Sequence, residues 1–75
     1  MTLEQLKIGQ RCKVKKILAK GMLKRKLLEM GITPGAEILF RRVAPLGDPI
    51  QIFVRGYDLS IRKADAENIS VEIID

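Results

Sequence analysis

The sequence predicts a mainly β fold, a small barrel of about five strands with one short α-helix inserted after the first long strand. Three observations predict it. Short runs of alternating apolar and polar residues recur along the chain, separated by turn residues. Only one stretch, Lys20 to Met30, carries helical spacing instead. Three of the six glycines and all three prolines fall in two segments, Gly31-Ile32-Thr33-Pro34-Gly35 and Ala44-Pro45-Leu46-Gly47-Asp48-Pro49, as expected where a small sheet reverses its chain.

Thr2-Leu3-Glu4-Gln5 has the Thr-x-x-Gln form of a capping box. It predicts a single helical turn anchored by Leu3, Leu6 and Ile8, which leads into a turn at Gly9-Gln10 and closes one end of the barrel. From Arg11 to Leu18, Cys12 and Val14 alternate with Arg11, Lys13 and Lys15 in the period of a half-buried strand, and Ile17 breaks the parity at a bulge. In the helix, Leu23, Leu27 and Met30 fall at i, i+4 and i+7, and Gly31 stands where a left-handed C-terminal cap is wanted. Arg25, Lys26 and Glu29 point away from that stripe, while Leu28, about 100° round from Leu27, is left half exposed.

After the Thr33-Pro34-Gly35 turn, Ala36 to Val43 and Ile50 to Arg55 read as a hairpin with a wide, stiff tip. Its register has two solutions. Without a bulge, Ile50, Ile52 and Val54 lie opposite Val43, Arg41 and Leu39, with Phe40 facing Phe53; a one-residue bulge swaps those faces. Gly56-Tyr57 makes the next turn, Leu59 and Ile61 mark a strand, and Lys63 to Asn68 a short helical or turn segment. The last strand points Ile69, Val71 and Ile73 one way, with the termini paired or close. Gly31, Pro34, Gly35, Pro45, Gly47, Pro49 and Gly56 are thus the turn-forming positions.

At 75 residues the chain reads as one domain, 1–75. It is near the lower limit for a core without disulfides or metal, at which about 60% of the unfolded surface is buried. Its 47% apolar content, rich in Ile, Leu and Val, is enough to fold. The single Cys12 excludes an internal disulfide, and Met1 to Gln10 mixes Glu4, Gln5 and Lys7 with Leu and Ile, unlike a signal segment. A cytoplasmic address is expected, with no direct membrane insertion.

The missing chemistry narrows the function. With no histidine there is no ordinary general base near neutral pH and none of the commonest transition-metal ligand. Cys12 reads as a buried small hydrophobe, the carboxylates show no metal spacing, and Lys20-Gly21 lacks the further glycines of a phosphate loop. The expectation is a non-enzyme with no cofactor and no metal site.

Fourteen basic against nine acidic residues give a net charge of +5. A solvated surface, a docking patch for an acidic protein and a nucleic-acid footprint all fit that charge. A docking patch would use Lys24, Arg25 and Lys26 with Leu28 as its apolar contact. Nucleic acid is disfavoured, because Tyr57 is the one ring expected at the surface and stacking platforms are missing. Two loop residues carry paired readings. Leu46 is either an apolar contact pre-ordered by two prolines or a plug for the barrel end, and Asp48 either bonds its own turn or meets a partner. Apolar residues on both faces of strands such as Ala36 to Val43 also admit a homo-oligomer joined through sheet edges.

Leu3-x-x-Leu6-x-x-Gly9, the run Leu27-Leu28-Glu29-Met30-Gly31-Ile32-Thr33-Pro34-Gly35, the stretch Val43 to Pro49, and Val54-Arg55-Gly56-Tyr57 with Ile61-Arg62 together resemble the FeoA family across essentially the whole chain. Departures are mild: Cys12 and Ala19 stand where small glycine-like residues are common, and Ala64-Asp65-Ala66 is a looser form of an acidic-alanine segment. The resemblance implies a small SH3-like barrel acting as a non-enzymatic accessory of bacterial ferrous iron uptake. Its implied partner is the membrane transporter FeoB, whose cytosolic part is a GTP-binding domain, so that any membrane association would run through that partner. The alternatives kept beside it are a nucleic-acid-binding barrel and a self-associating module, with a direct iron carrier the least favoured.

Overall fold

The computed structural model describes residues Met1–Ile74. A 3₁₀ turn at Leu3–Gln5 precedes strand β1 (Arg11–Ile17), helix α1 (Gly21–Glu29), strands β2 (Glu37–Val43), β3 (Ile50–Val54) and β4 (Tyr57–Ile61), a four-residue helix α2 (Lys63–Ala66) and strand β5 (Ile69–Ile73). The strands form one antiparallel sheet in the order β4-β3-β2-β1-β5, with α1 inserted between β1 and β2 as expected. The first and last segments meet: Thr2 bridges Ser70, and Val71 N donates to Met1 O at 2.9 Å. Of the capping box, the Gln5 half is present, with Thr2 N donating to Gln5 Oε1 at 2.8 Å.

Two single-residue bulges set the register. In β1, Val14 pairs with Val71 and Lys16 with Ser70, so Lys15 is the extra residue. In β2, Phe40 pairs with Ile52 and Arg42 with Gln51, so Arg41 is the extra residue. The bulged solution of the β2–β3 hairpin is therefore the one adopted. The physical reason is visible in what each bulge avoids. Strict alternation after Phe40 would turn Arg42 inward, whereas the bulge leaves Arg41 and Arg42 both exposed and returns Val43 toward the core. Lys15, Lys16 and Ile17 repeat the same pattern.

The core gathers Cys12, Val14, Ile38, Phe40, Ile52, Val54 and Val71 from the strands, closed by Leu3 and Leu6 at one end and by Leu27 and Ile32 at the other. β-Branched residues dominate the strand positions, where a pleated surface packs them well. Three expectations need correction. Ile8 is 65% exposed and anchors nothing, because Gly9 turns the chain away when its N–H donates to Phe40 O at 2.8 Å. The turn before β4 falls at Arg55-Gly56, not Gly56-Tyr57, since Val54 and Tyr57 face each other across it. Ile73, the last residue of β5, is 39% exposed although it pairs with the buried Cys12.

Gly31 closes α1 with φ +92°, and a Cβ there would meet Arg55 Cδ at 3.4 Å and the Tyr57 hydroxyl at 3.6 Å, ordinary contacts that leave the backbone as the constraint. Gly31→Ala should lose roughly 1–2 kcal/mol from the left-handed backbone alone. Urea unfolding followed by circular dichroism measures it, and an unchanged midpoint would contradict the capping account.

Candidate partner-docking site

α1 is a weak helix made useful by its surroundings. Its N-cap Lys20 makes no side-chain capping bond, Gly21 opens it at φ +65°, and no acidic residue lies in its first turn. Nine residues with Lys24, Arg25 and Lys26 in succession would be marginal in isolation. What seats the helix is Leu27, fully buried and worth about 1.5–3 kcal/mol, with Leu23 and Met30 partly buried beside it.

Its outer face is cationic. Lys20, Lys24, Arg25 and Lys26 are all exposed, and none forms an ion pair with a described residue. Leu28 is half-buried, as expected, and lines an open groove of about 370 Å³ with Gly21, Lys24, Arg25 and Glu29. Around the helix, Met22, Arg25, Lys26, Glu29 and Met30 line a second groove of about 320 Å³. Met22, 88% exposed, is an apolar surface residue that the helical stripe does not reveal, because it lies off both the Leu27 and Leu28 faces.

Other cations are already engaged. Arg41 Nε lies 2.8 Å from Asp58 Oδ1, and its guanidinium stacks 4.8 Å from the Phe53 ring centroid. Arg62 meets Asp65 at 3.7 Å. Arg55 Nε donates to Gly31 O at 3.2 Å and its Nη2 to Thr33 Oγ1, while Tyr57 Oη donates to Met30 O at 2.7 Å. Lys20, Lys24, Arg25 and Lys26 thus form one run of cations without an ion pair among the described residues, while Lys13, Lys15, Lys16 and Arg42 are exposed in the same way on the sheet.

The β2–β3 loop is pinned by Gly47 N donating to Ala44 O at 2.8 Å and Ala44 N donating to Pro49 O at 3.0 Å. Leu46 at its tip is 96% exposed, which overturns the plug reading. Asp48 does not bond its own turn. Its Oδ1 accepts from Lys63 N at 3.0 Å, supplying α2 with the capping acceptor that the N-cap Arg62 does not provide. The antiparallel order places this loop before β3 and the carboxyl end of α1 after it, so the sequence-predicted contacts are divided. Lys24, Arg25 and Leu28 line one groove of α1 and Lys26 the next, while Leu46 and Asp48 lie on the loop that leads into the opposite end of β3.

Cys12 is sealed in the core, and burial pushes its thiol up to about 11. Among the described residues no three His, Cys, Asp or Glu side chains converge as a metal-holding group, and no helix is long and apolar enough to cross a membrane.

A five-stranded antiparallel sheet coiled around one apolar core, with a short cationic helix set outside it, defines a small SH3-like protein. The FeoA domain matches residues 1–73, and the chain belongs to the FeoA family, which is associated with ferrous iron transport. It is 34% identical over 74 residues to an Fe(2+) transport protein A/Fe(2+) transporter FeoB fusion protein of Porphyromonas gingivalis, covering 99% of this chain and 9% of that protein's length. The solution structure of iron(II) transport protein A from Clostridium thermocellum has 39% identity and a TM-score of 0.95, over 99% of this chain and 46% of that one. Stenotrophomonas maltophilia FeoA complexed with zinc, described as a prokaryotic SH3 domain protein, has 25% identity and a TM-score of 0.84, over 96% of this chain and 89% of that one.

Two outcomes follow from these environments. Leu46→Asp should leave the urea midpoint within about 0.5 kcal/mol of the parent, as expected for a surface change; a large loss would restore the plug. Because the Cys12 thiol titrates higher in the fold than in the unfolded chain, the folded state holds more protons above pH 9, so its contribution to stability is present below that pH and falls as pH rises toward 11. Cys12→Val should flatten that decline in pH-dependent urea unfolding, and an unaltered slope would assign the decline to other groups.

Proposed function

We propose that this chain is a non-enzymatic accessory protein of ferrous iron transport that binds the cytosolic GTP-binding region of a FeoB-type transporter through the outer face of α1. The observation that carries the reading is the Porphyromonas gingivalis relative, in which a domain 34% identical to this chain is fused to FeoB. Fusion holds two parts at high effective concentration, and a separate chain must supply the same proximity by affinity. The surface supports α1 as the contact. Four cations without ion pairs among the described residues steer toward an acidic surface, and the grooves beside Leu28 and Met22 offer apolar area for short-range packing. An accessory of this kind would bias the nucleotide cycle or assembly of its partner without performing chemistry itself.

Calorimetric titration into the cognate transporter in lipid nanodiscs, with and without a non-hydrolysable GTP analogue, tests the proposal. Saturable binding is expected, weakening as salt screens the α1 charges. The double variant Lys24→Glu with Arg25→Glu should bind at least about tenfold more weakly while keeping the parent fold. Undiminished binding by that variant would remove the α1 face as the contact, and no binding in either nucleotide state would remove the transporter as the partner.

A further inference from the structure

We propose that the Arg55-Gly56-Tyr57 turn is a polar latch that fixes α1 on the sheet, and that Arg55 and Tyr57 are positioning residues for partner binding. The effect on binding rests on the α1 reading above; the latch itself does not.

The carboxyl end of α1 has a backbone cap, with Met30 N donating to Lys26 O, Gly31 N to Leu28 O and Ile32 N to Leu27 O. The carbonyls just beyond it, of Met30 and Gly31, accept from Tyr57 Oη at 2.7 Å and Arg55 Nε at 3.2 Å, residues more than twenty positions away in the chain. Arg55 Nη2 also donates to Thr33 Oγ1 in the segment leaving the helix. Thus two side chains of one hairpin turn grip both the end of α1 and its exit.

The turn accepts a backbone penalty to do this. Val54 and Tyr57 close a two-residue loop in which Arg55 has φ +50° and Gly56 φ +89°. Such a loop favours Asn, Asp or Gly at its first position, and an arginine there is uncommon. Its side chain supplies what the backbone preference does not, since no shorter residue carries a guanidinium to the end of α1. Gly31 completes the arrangement through its backbone, whose φ of +92° turns the chain out of α1 and sets its carbonyl toward Arg55.

The latch is also accessible, with Arg55 exposed and Tyr57 45% exposed. Hydrogen bonds that water reaches open more readily than a packed core, so α1 can loosen as a unit while the sheet keeps its own ladder. Cations on a loosened helix no longer present a fixed pattern, and a partner would then have to order them on binding.

Native-state amide exchange by NMR on the full chain tests the latch without any partner. Two variants separate it from general stability. Tyr57→Phe removes one hydroxyl, and Arg55→Gly removes the guanidinium while relieving the positive φ. In both, amides of Leu27 to Ile32 should exchange about tenfold faster, with β1 to β3 unchanged or, in Arg55→Gly, slower. Titration of the same variants into the nanodisc-held transporter should show about fivefold weaker binding. Unchanged α1 exchange overturns the latch, and so does faster exchange spread equally over helix and sheet. Weaker binding with α1 exchange unaltered also overturns it, making Arg55 or Tyr57 a direct contact instead. A parent chain that fails to bind the transporter sinks the docking reading alone, and the exchange result still decides the latch.

Discussion

The fold depends on keeping adjacent pairs of cations out of the core. β1 carries Lys15-Lys16 and β2 carries Arg41-Arg42, and in a strictly alternating strand one member of each pair would point inward. An unpaired buried charge is far more expensive than one unpaired ladder position. Each strand therefore inserts a single residue, at Lys15 and at Arg41, and brings Ile17 and Val43 back toward the core. Bulges also sharpen right-handed twist. Two of them on neighbouring central strands let a five-stranded sheet wrap its own interior, which a chain this short needs because it has few other layers to cover an apolar face.

The wrapping sorts the surface. Arg41 is occupied by Asp58 and the Phe53 ring, and Arg55 by the end of α1, so arginines of the sheet serve the fold. The lysine-rich helix, by contrast, contributes only Leu27 fully to the core and turns four cations to solvent. Among FeoA proteins this chain thus combines a tightly specified barrel with a helix that is weak by its own propensity. The surface proposed for docking is therefore seated by Leu27, with Leu23 and Met30 beside it, and by the hydrogen bonds of Arg55 and Tyr57 just beyond its carboxyl end.

How much of this was legible depended on whether the signal was local. The Leu23, Leu27 and Met30 stripe and Gly31 place α1 to within a residue at each end, because helical spacing and a left-handed cap are short-range features. The alternation of Cys12 and Val14 likewise locates β1, and the lost parity at Ile17 announces its bulge. The β2 bulge was one of two open solutions, although Arg41-Arg42-Val43 repeats the Lys15-Lys16-Ile17 pattern and could have decided it. Long-range partners were out of reach. Asp48 as a cap for α2 joins positions 15 apart, and Arg55 reaches Gly31 across 24, with no periodicity to betray either bond. Ile8 and Leu46 failed differently, since an apolar side chain on a turn has no strand or helix phase to say which way it faces.

The sealed thiol of Cys12 has one more consequence. The sequence holds no imidazole, and its single thiol, pushed up to about 11, lies beneath the sheet out of contact with solvent. Its reaction with a thiol reagent in solution would therefore report opening of the core rather than chemistry at the surface.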